Sequence, residues 1–119
     1  MLLGKRVLVV EDEALITMML EAYLAELGCT VVATAARLEE AITKAEAVPV
    51  DLAVLDVNLA GEVSYPVAEM LQSRSVPFIF ATGYRPDGLP ERLRNVTVLG
   101  KPFLIEQLER ALTSVAEAG

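Results

Sequence analysis

Four short polar clusters carry the residue types that could do chemistry: Glu11-Asp12-Glu13, Asp56 with Asn58 two residues on, Thr82-Gly83, and Lys101-Pro102. Each has a bland reading alone. Acidic residues favour a helix N-terminus through its dipole. Aspartate closes many loops, Thr-Gly makes turns, and Lys-Pro suits a solvated loop. Together they describe a receptor. Two carboxylates about 4 Å apart repel by roughly 4 kcal/mol at an effective dielectric of about 20. Glu11, Asp12 and Asp56 in one place therefore demand a cation. All-oxygen ligands suit a hard divalent ion such as Mg²⁺, which keeps several waters and takes only one or two carboxylates. Lys101 adds a fixed positive charge and Thr82 a hydroxyl donor. A metal, an ammonium and a hydroxyl around one carboxylate fit a phosphoryl group, whose transfer is mostly positioning and charge stabilisation. Asp56 is then the nucleophile, and the product is an acyl phosphate.

Some framework must bring these clusters together. Val7 to Val10, Leu52 to Leu55, Phe78 to Ala81 and Val96 to Leu99 are nearly continuous apolar runs, as expected of strands buried on both faces. Cys29 to Thr34 is a more polar run that suits a sheet edge. Helical patterns lie between the runs. Ala14 to Leu27 has Leu15, Met18, Met19, Tyr23 and Leu27 near a 3.6-residue period, with Gly28 at the C′ position. Leu38 to Ala47, Tyr65 to Ser73 (Ser64 as N-cap) and Ile105 to Ala116 are the others. Strand and helix in alternation predict a doubly wound, five-stranded parallel sheet with helices on both faces. Gly83 to Asn95 contains Pro86, Gly88 and Pro90, which predicts at most a short helical turn around Pro90 to Leu93. Ligands of such sheets bind outside the carboxyl ends of the strands, and all four polar clusters follow strands.

Composition removes other functions. The 119 residues include 17 acidic and 10 basic side chains, a net charge of −7, one cysteine and no histidine. Ser-His-Asp and Cys-His hydrolysis and imidazole metal sites are excluded. Cys29 alone makes neither an internal disulfide nor a thiolate zinc site. The acidic balance argues against a nucleic-acid groove. No apolar run approaches the roughly 20 residues of a membrane helix, and Met1 to Arg6 lacks the layout of a secretory signal. A cytoplasmic protein of one domain is expected.

The motifs Val7-Leu8-Val9-Val10-Glu11-Asp12-Glu13, Leu55-Asp56-Val57-Asn58-Leu59, Ala81-Thr82-Gly83 and Lys101-Pro102-Phe103, in this order and spacing, resemble the receiver domain of bacterial two-component response regulators from Lys5 to Val115. The resemblance implies a flavodoxin-like fold with strand order 2-1-3-4-5. It implies that Asp56 accepts phosphate from a phosphohistidine of a sensor histidine kinase or histidine phosphotransferase. Asp12 matches a direct Mg²⁺ ligand, Glu11 one acting through water, and Asn58 one acting through its main-chain carbonyl. Thr82 and Lys101 match the phosphoryl-binding hydroxyl and amine. The peptide before Pro102 matches one that is usually cis. Asn58 and Tyr84 match positions that shape water access. Pro77 to Tyr84 resembles a subgroup marked by Phe-Ala-Thr-Gly-Tyr, often stand-alone or stress-signalling receivers working with alphaproteobacterial-type sensor kinases.

Two departures bear on output. Val98 stands where most receivers carry the Tyr or Phe that moves with the threonine, and Gly83 to Asn95 interrupts the fourth helix. That segment is expected to be mobile and to become ordered on phosphorylation. Residues 1–119 read as one receiver domain without an effector, a monomer or weak dimer. Its output would be protein contact or phosphate shuttling, with catalysis limited to its own phosphorylation and dephosphorylation. One alternative is a receiver-like interaction module that never gains phosphate. Another is an aspartate-nucleophile phosphatase, although those place the nucleophile after the first strand with a second Asp two residues on. A flavin site lacks its phosphate loop.

Overall fold

The computed structural model describes residues 2–83 and 88–118. In chain order the elements are β1 (Arg6–Val10), α1 (Ala14–Glu26), β2 (Thr30–Ala35), α2 (Leu38–Ala47), β3 (Leu52–Leu55), β4 (Asn58–Leu59), β5 (Glu62–Val63), α3 (Tyr65–Ser73), β6 (Phe78–Thr82), a 3₁₀ turn (Glu91–Leu93), β7 (Val98–Gly100) and α4 (Ile105–Ala118). Five parallel strands form one sheet in the order β2-β1-β3-β6-β7, and β4 and β5 pair as a separate hairpin. Counting the strands of the main sheet alone, this is the expected order 2-1-3-4-5.

Strand side chains alternate between faces, and both faces are apolar. Leu8, Val10, Ala53, Leu55, Phe78 and Phe80 pack with Ala41 and Ala45 of α2 and Val67, Ala68 and Leu71 of α3. Val7, Val9, Leu52, Val54, Ile79 and Ala81 pack with Leu20 and Leu24 of α1 and Leu108 and Leu112 of α4. Hence the central strands read as unbroken apolar runs. As its threonines suggest, β2 is an edge. The other edge, β7, begins two residues later than the apolar run from Val96, because Val96 N–H still bonds Leu93 O of the 3₁₀ turn.

Two local expectations need correction. Leu15 and Met18 do not join the core; they are 79% and 63% exposed. Nearly every side chain in the first three turns of α1 is apolar, so periodicity did not select the face. Leu20 and Leu24 define it, with Ile16, Met19 and Tyr23 beside them. Ser64 stands at the N-cap of α3 without a side-chain cap bond. Its carbonyl accepts from the Val67 and Ala68 N–H groups, and its buried Oγ has no hydrogen-bond partner among the described residues. Gly28 behaves as expected. At φ 88° it closes α1, its N–H bonding Ala25 O and the Cys29 N–H bonding Leu24 O, which is a Schellman cap. The only helical structure described between β6 and β7 is the 3₁₀ turn.

At the end of the sheet opposite the polar clusters, Arg6 holds Asp51 with Nε on Oδ2 at 2.9 Å and Nη2 on Oδ1 at 3.0 Å, and the Arg6 N–H bonds Oδ2 at 2.8 Å. This clamp sits where β1 and β3 enter their pairing, whose register places Val10 beside Leu55. The side-chain bond from Arg6 is the main reason the Asp51 carboxyl falls from 3.8 to about 2. A carboxyl depressed in the folded state stabilises it above the ordinary value and loses that contribution as pH falls through the folded one. Asp51→Asn is therefore expected to flatten the urea midpoint against pH between 3.8 and about 2. The effect is small because the pair is solvent-exposed. An unchanged acid limb in that variant would show the clamp contributes nothing.

Among the described residues no helix is long and apolar enough to cross a membrane.

Candidate functional site

The parallel register delivers the polar clusters to one rim. Val10 beside Leu55 makes Glu11 and Asp56 neighbours, each leaving its strand with a main-chain bond: Glu11 N–H to Ala35 O and Asp56 N–H to Val10 O. Leu55 beside Phe80 carries Thr82 just past the level of Asp56. Thr82 beside Gly100 brings in Lys101, whose N–H bonds Thr82 O at 2.9 Å. Glu11, Asp12 and Asp56 each offer a carboxylate oxygen, and these oxygens lie within 4.8 Å of one another. Glu11 and Asp56 are buried, and Asp12 is exposed.

Lys101 is the counter-charge. Its Nζ donates to Glu11 Oε1 at 2.6 Å and to Asp56 Oδ2 at 3.2 Å. The second Glu11 oxygen accepts from the Glu13 N–H at 3.1 Å. Burial pushes the Glu11 carboxyl up to about 7; the Lys101 bond pulls against this, and the Asp56 charge adds to it. Burial alone would lower the Lys101 amine, but Glu11 and Asp56 outweigh it and hold the amine above its ordinary value. Among the described residues one ammonium faces three carboxylates, which leaves the site short of positive charge. The donors are all hard oxygens, a set that fits a small divalent cation.

The remaining expected residues are placed as follows. Thr82 Oγ1 is buried and has no hydrogen-bond partner among the described residues. The Lys101-Pro102 peptide is cis. Val98 lies beside Phe80 in the sheet and is 37% exposed. Tyr84 lies outside the described residues, as does part of the segment expected to be mobile. The Asn58 side chain accepts from the Gly61 N–H at 2.8 Å. Its main chain is set by the hairpin: Asn58 faces Val63, while the flanking Ser64 N–H bonds Val57 O. Antiparallel pairs alternate between bonded and non-bonded, so the Asn58 carbonyl turns away from β5, as the expected cation ligand requires.

Sequence reasoning missed three features of this rim. Lys101 already bridges Glu11 and Asp56. The Asp12 carboxylate is tied by Oδ2 to the Ala60 N–H at 3.1 Å. Ala60-Gly61 between two short extended pairs was the available signal for that turn. Finally, an apolar border flanks the acids. Leu15 and Met18 follow the Glu11–Glu13 loop, and Leu104, 63% exposed, follows the Lys101 loop. Both loops lead into helices on the same sheet face, where the Tyr23 and Phe103 rings meet at 6.3 Å. An open cleft of about 320 Å³, with Asp12, Ala14, Thr17 and Met18 in its lining, adjoins the acids.

A parallel sheet covered on both faces, with acids, a hydroxyl and an amine at its carboxyl rim, defines the class of doubly wound α/β domain. Within it, residues 7–113 match the response regulator receiver domain, and the chain belongs to that family. It is 36% identical over 112 residues to the transcriptional regulatory protein PdtaR of Mycobacterium tuberculosis (strain ATCC 25618 / H37Rv), covering 91% of this chain and 55% of that protein. The chain spans about half the length of the curated relatives it matches. Among solved structures it resembles SdrG from Sphingomonas melonis Fr1, with TM-score 0.84 and 44% identity over 94% of this chain and 96% of that one. It also resembles SdrG from Pseudomonas melonis Fr1 in its BeF3-activated conformation, with TM-score 0.79 and 42% identity over 98% and 99%.

Proposed function

We propose that this receiver is a phosphorylation-driven switch whose acceptor is Asp56. The observation that carries the reading is the Lys101 amine on Asp56 and Glu11 beside a buried Thr82 hydroxyl that has no partner among the described residues. The phosphohistidine lies outside residues 1–119, which contain no histidine. An Asp56 oxygen attacks the phosphorus of a phosphohistidine, a P–O bond forms, the P–N bond breaks, and the released imidazole nitrogen takes a proton from solvent. Lys101 and Thr82 hold the transferred oxygens. Mg²⁺, held by Asp12, Asp56 and the Asn58 carbonyl with Glu11 acting through water, would supply the remaining positive charge. Hydrolysis of the acyl phosphate resets the switch, with Asn58 and Tyr84 shaping water access. Turnover of other substrates is not part of this reading.

Residues 1–119 act as one cytoplasmic domain with output through protein contact or phosphate shuttling. Phe80-Ala81-Thr82-Gly83-Tyr84 and the likeness to SdrG support the Phe-Ala-Thr-Gly-Tyr subgroup. A phosphate-independent module would have no use for a desolvated Thr82 hydroxyl without a partner among the described residues, which costs free energy until something bonds it. The direct test is incubation with acetyl phosphate and Mg²⁺ followed by intact mass. Gain of one phosphoryl group supports the switch, and no gain with either acetyl phosphate or a panel of histidine kinases rejects it.

The apolar border of Leu15, Met18 and Leu104 is where a protein donor would seat. Met18→Glu is expected to slow transfer from a phosphorylated histidine kinase roughly tenfold, since one apolar contact is worth about 1.4 kcal/mol or more. Uptake from acetyl phosphate should be unchanged, because that donor needs no surface. Equal slowing with both donors would place Met18 in folding or in the pocket, and not in docking.

A further inference from the structure

We propose that the β4–β5 turn is a positioning device for the Asp12 carboxylate, acting through the Ala60 main-chain N–H. This rests on reading Glu11, Asp12 and Asp56 as the cation site. The turn is a two-residue loop, Ala60-Gly61, closed by Leu59 and Glu62. Both loop residues have left-handed backbones, φ 54° and 93°, as a type I′ hairpin requires. Asparagine or glycine adopts that first position readily, whereas alanine is disfavoured there. What holds the strained residue is visible. The Gly61 N–H bonds Asn58 Oδ1 at 2.8 Å, and the Ala60 N–H bonds Asp12 Oδ2 at 3.1 Å, a link spanning 48 positions of sequence.

Asp12 is the exposed member of the acidic cluster, and the Ala60 bond is the only one it makes among the described residues. Without it the side chain would lose rotamer freedom on taking up a cation. With it, one oxygen is fixed in advance. A carboxylate has about four lone-pair sites, so one N–H leaves ample capacity for a metal. The same hairpin turns the Asn58 carbonyl outward. The direction of the Asn58 carbonyl follows from the strand pairing and not from its side-chain bond to Gly61, so that bond can be removed separately, and the strained Ala60 backbone is where the constraint on Asp12 is stored.

The test removes single N–H groups by replacing a residue with its hydroxy-acid analogue. Ala60→lactate deletes the bond to Asp12, and Gly61→glycolate deletes the neighbouring bond of the same turn to Asn58. Mg²⁺ is titrated into each 119-residue protein and followed by NMR shifts. Outer partners of metal ligands commonly change affinity by about 10–100-fold, and for this exposed ligand the Ala60 ester is expected to weaken Mg²⁺ binding roughly tenfold, with the Gly61 ester within about twofold of wild type. Equal weakening in both esters would make the turn merely structural and overturn the inference alone. Absence of saturable Mg²⁺ binding in the wild type would overturn the site reading and this inference with it. Amide exchange in the wild type is independent of whether the esters fold. Protection of the Ala60 N–H that persists or rises with Mg²⁺ supports positioning. Protection lost on Mg²⁺ binding would mean that the metal displaces the turn, and the inference would be wrong.

Discussion

Asp56→Asn is expected to abolish phosphoryl uptake from acetyl phosphate and from a histidine kinase alike, leaving the fold intact. The change is nearly isosteric, and the side chain stays at the end of β3, where the main chain is fixed by the Asp56 N–H to Val10 O bond. What is lost is the anionic nucleophile. Neighbouring carboxylates are poor substitutes. Both Glu11 oxygens are occupied, one by Lys101 and one by the Glu13 N–H. Asp12 has no bond to Lys101 and is held by Ala60. Asp56 alone combines contact with the amine through Oδ2 and an Oδ1 without a hydrogen bond among the described residues. Intact mass after incubation with acetyl phosphate and Mg²⁺ is the measurement. A phosphorylated species persisting at wild-type level in Asp56→Asn would show that another residue is the acceptor.

The reason Asp56 could be picked out from sequence is that parallel strands place their C-terminal ends on one rim, so four separate motifs become one site once the order of strands is known. The unbroken runs at Val7–Val10, Leu52–Leu55 and Phe78–Ala81 announce burial on both faces, and Thr30 and Thr34 announce the edge. Legibility failed where composition stopped discriminating. In α1 the run Leu15-Ile16-Thr17-Met18-Met19-Leu20 fits several helix faces, and only burial in one core cluster with Val7, Val9, Leu108 and Leu112 decides that Leu20 and Leu24 go inward. At Ser64 a good capping residue precedes a helix, but its hydroxyl is buried without a partner among the described residues and makes no cap bond, so local propensity yielded to tertiary placement. The Ala60 link to Asp12 was invisible for a different reason. Its donor is a main-chain N–H, which any residue but proline would supply, so the side chain at position 60 does not announce it.

Lys101 has two tasks. Among the described residues its amine is the one positive charge bonded to Glu11 and Asp56. Without phosphate it opposes carboxylate repulsion, and on the proposed transfer it would meet the phosphoryl oxygens as well. A cation held by Asp12, Asp56 and the Asn58 carbonyl would supply charge for the first task without replacing the Lys101 contact to the transferred oxygens.

Lys101→Met should therefore split these roles. Removing a preorganised charge that meets developing negative charge commonly costs about 10²–10³-fold in rate, and phosphorylation of the variant is expected to slow by that order at saturating Mg²⁺. Stability in EDTA should fall as well. The Glu11 and Lys101 side chains are 1% and 11% exposed, and breaking a buried pair by deleting one partner costs roughly 3 kcal/mol. Proton uptake by Glu11, whose carboxyl burial has already pushed up to about 7, keeps the loss from growing further. Mg²⁺ stabilises any protein that binds it only when folded, by about 1.4 kcal/mol at ten times its Kd. In Lys101→Met the carboxylates are short of one more positive charge, so the ion should bind more tightly and raise the urea midpoint by more than it does in the wild type. Phosphorylation should stay slow even so. Equal Mg²⁺ stabilisation of the two proteins would mean that amine and metal do not share the same anions. Recovery of the rate with Mg²⁺ would mean that Lys101 serves only to hold the acids apart.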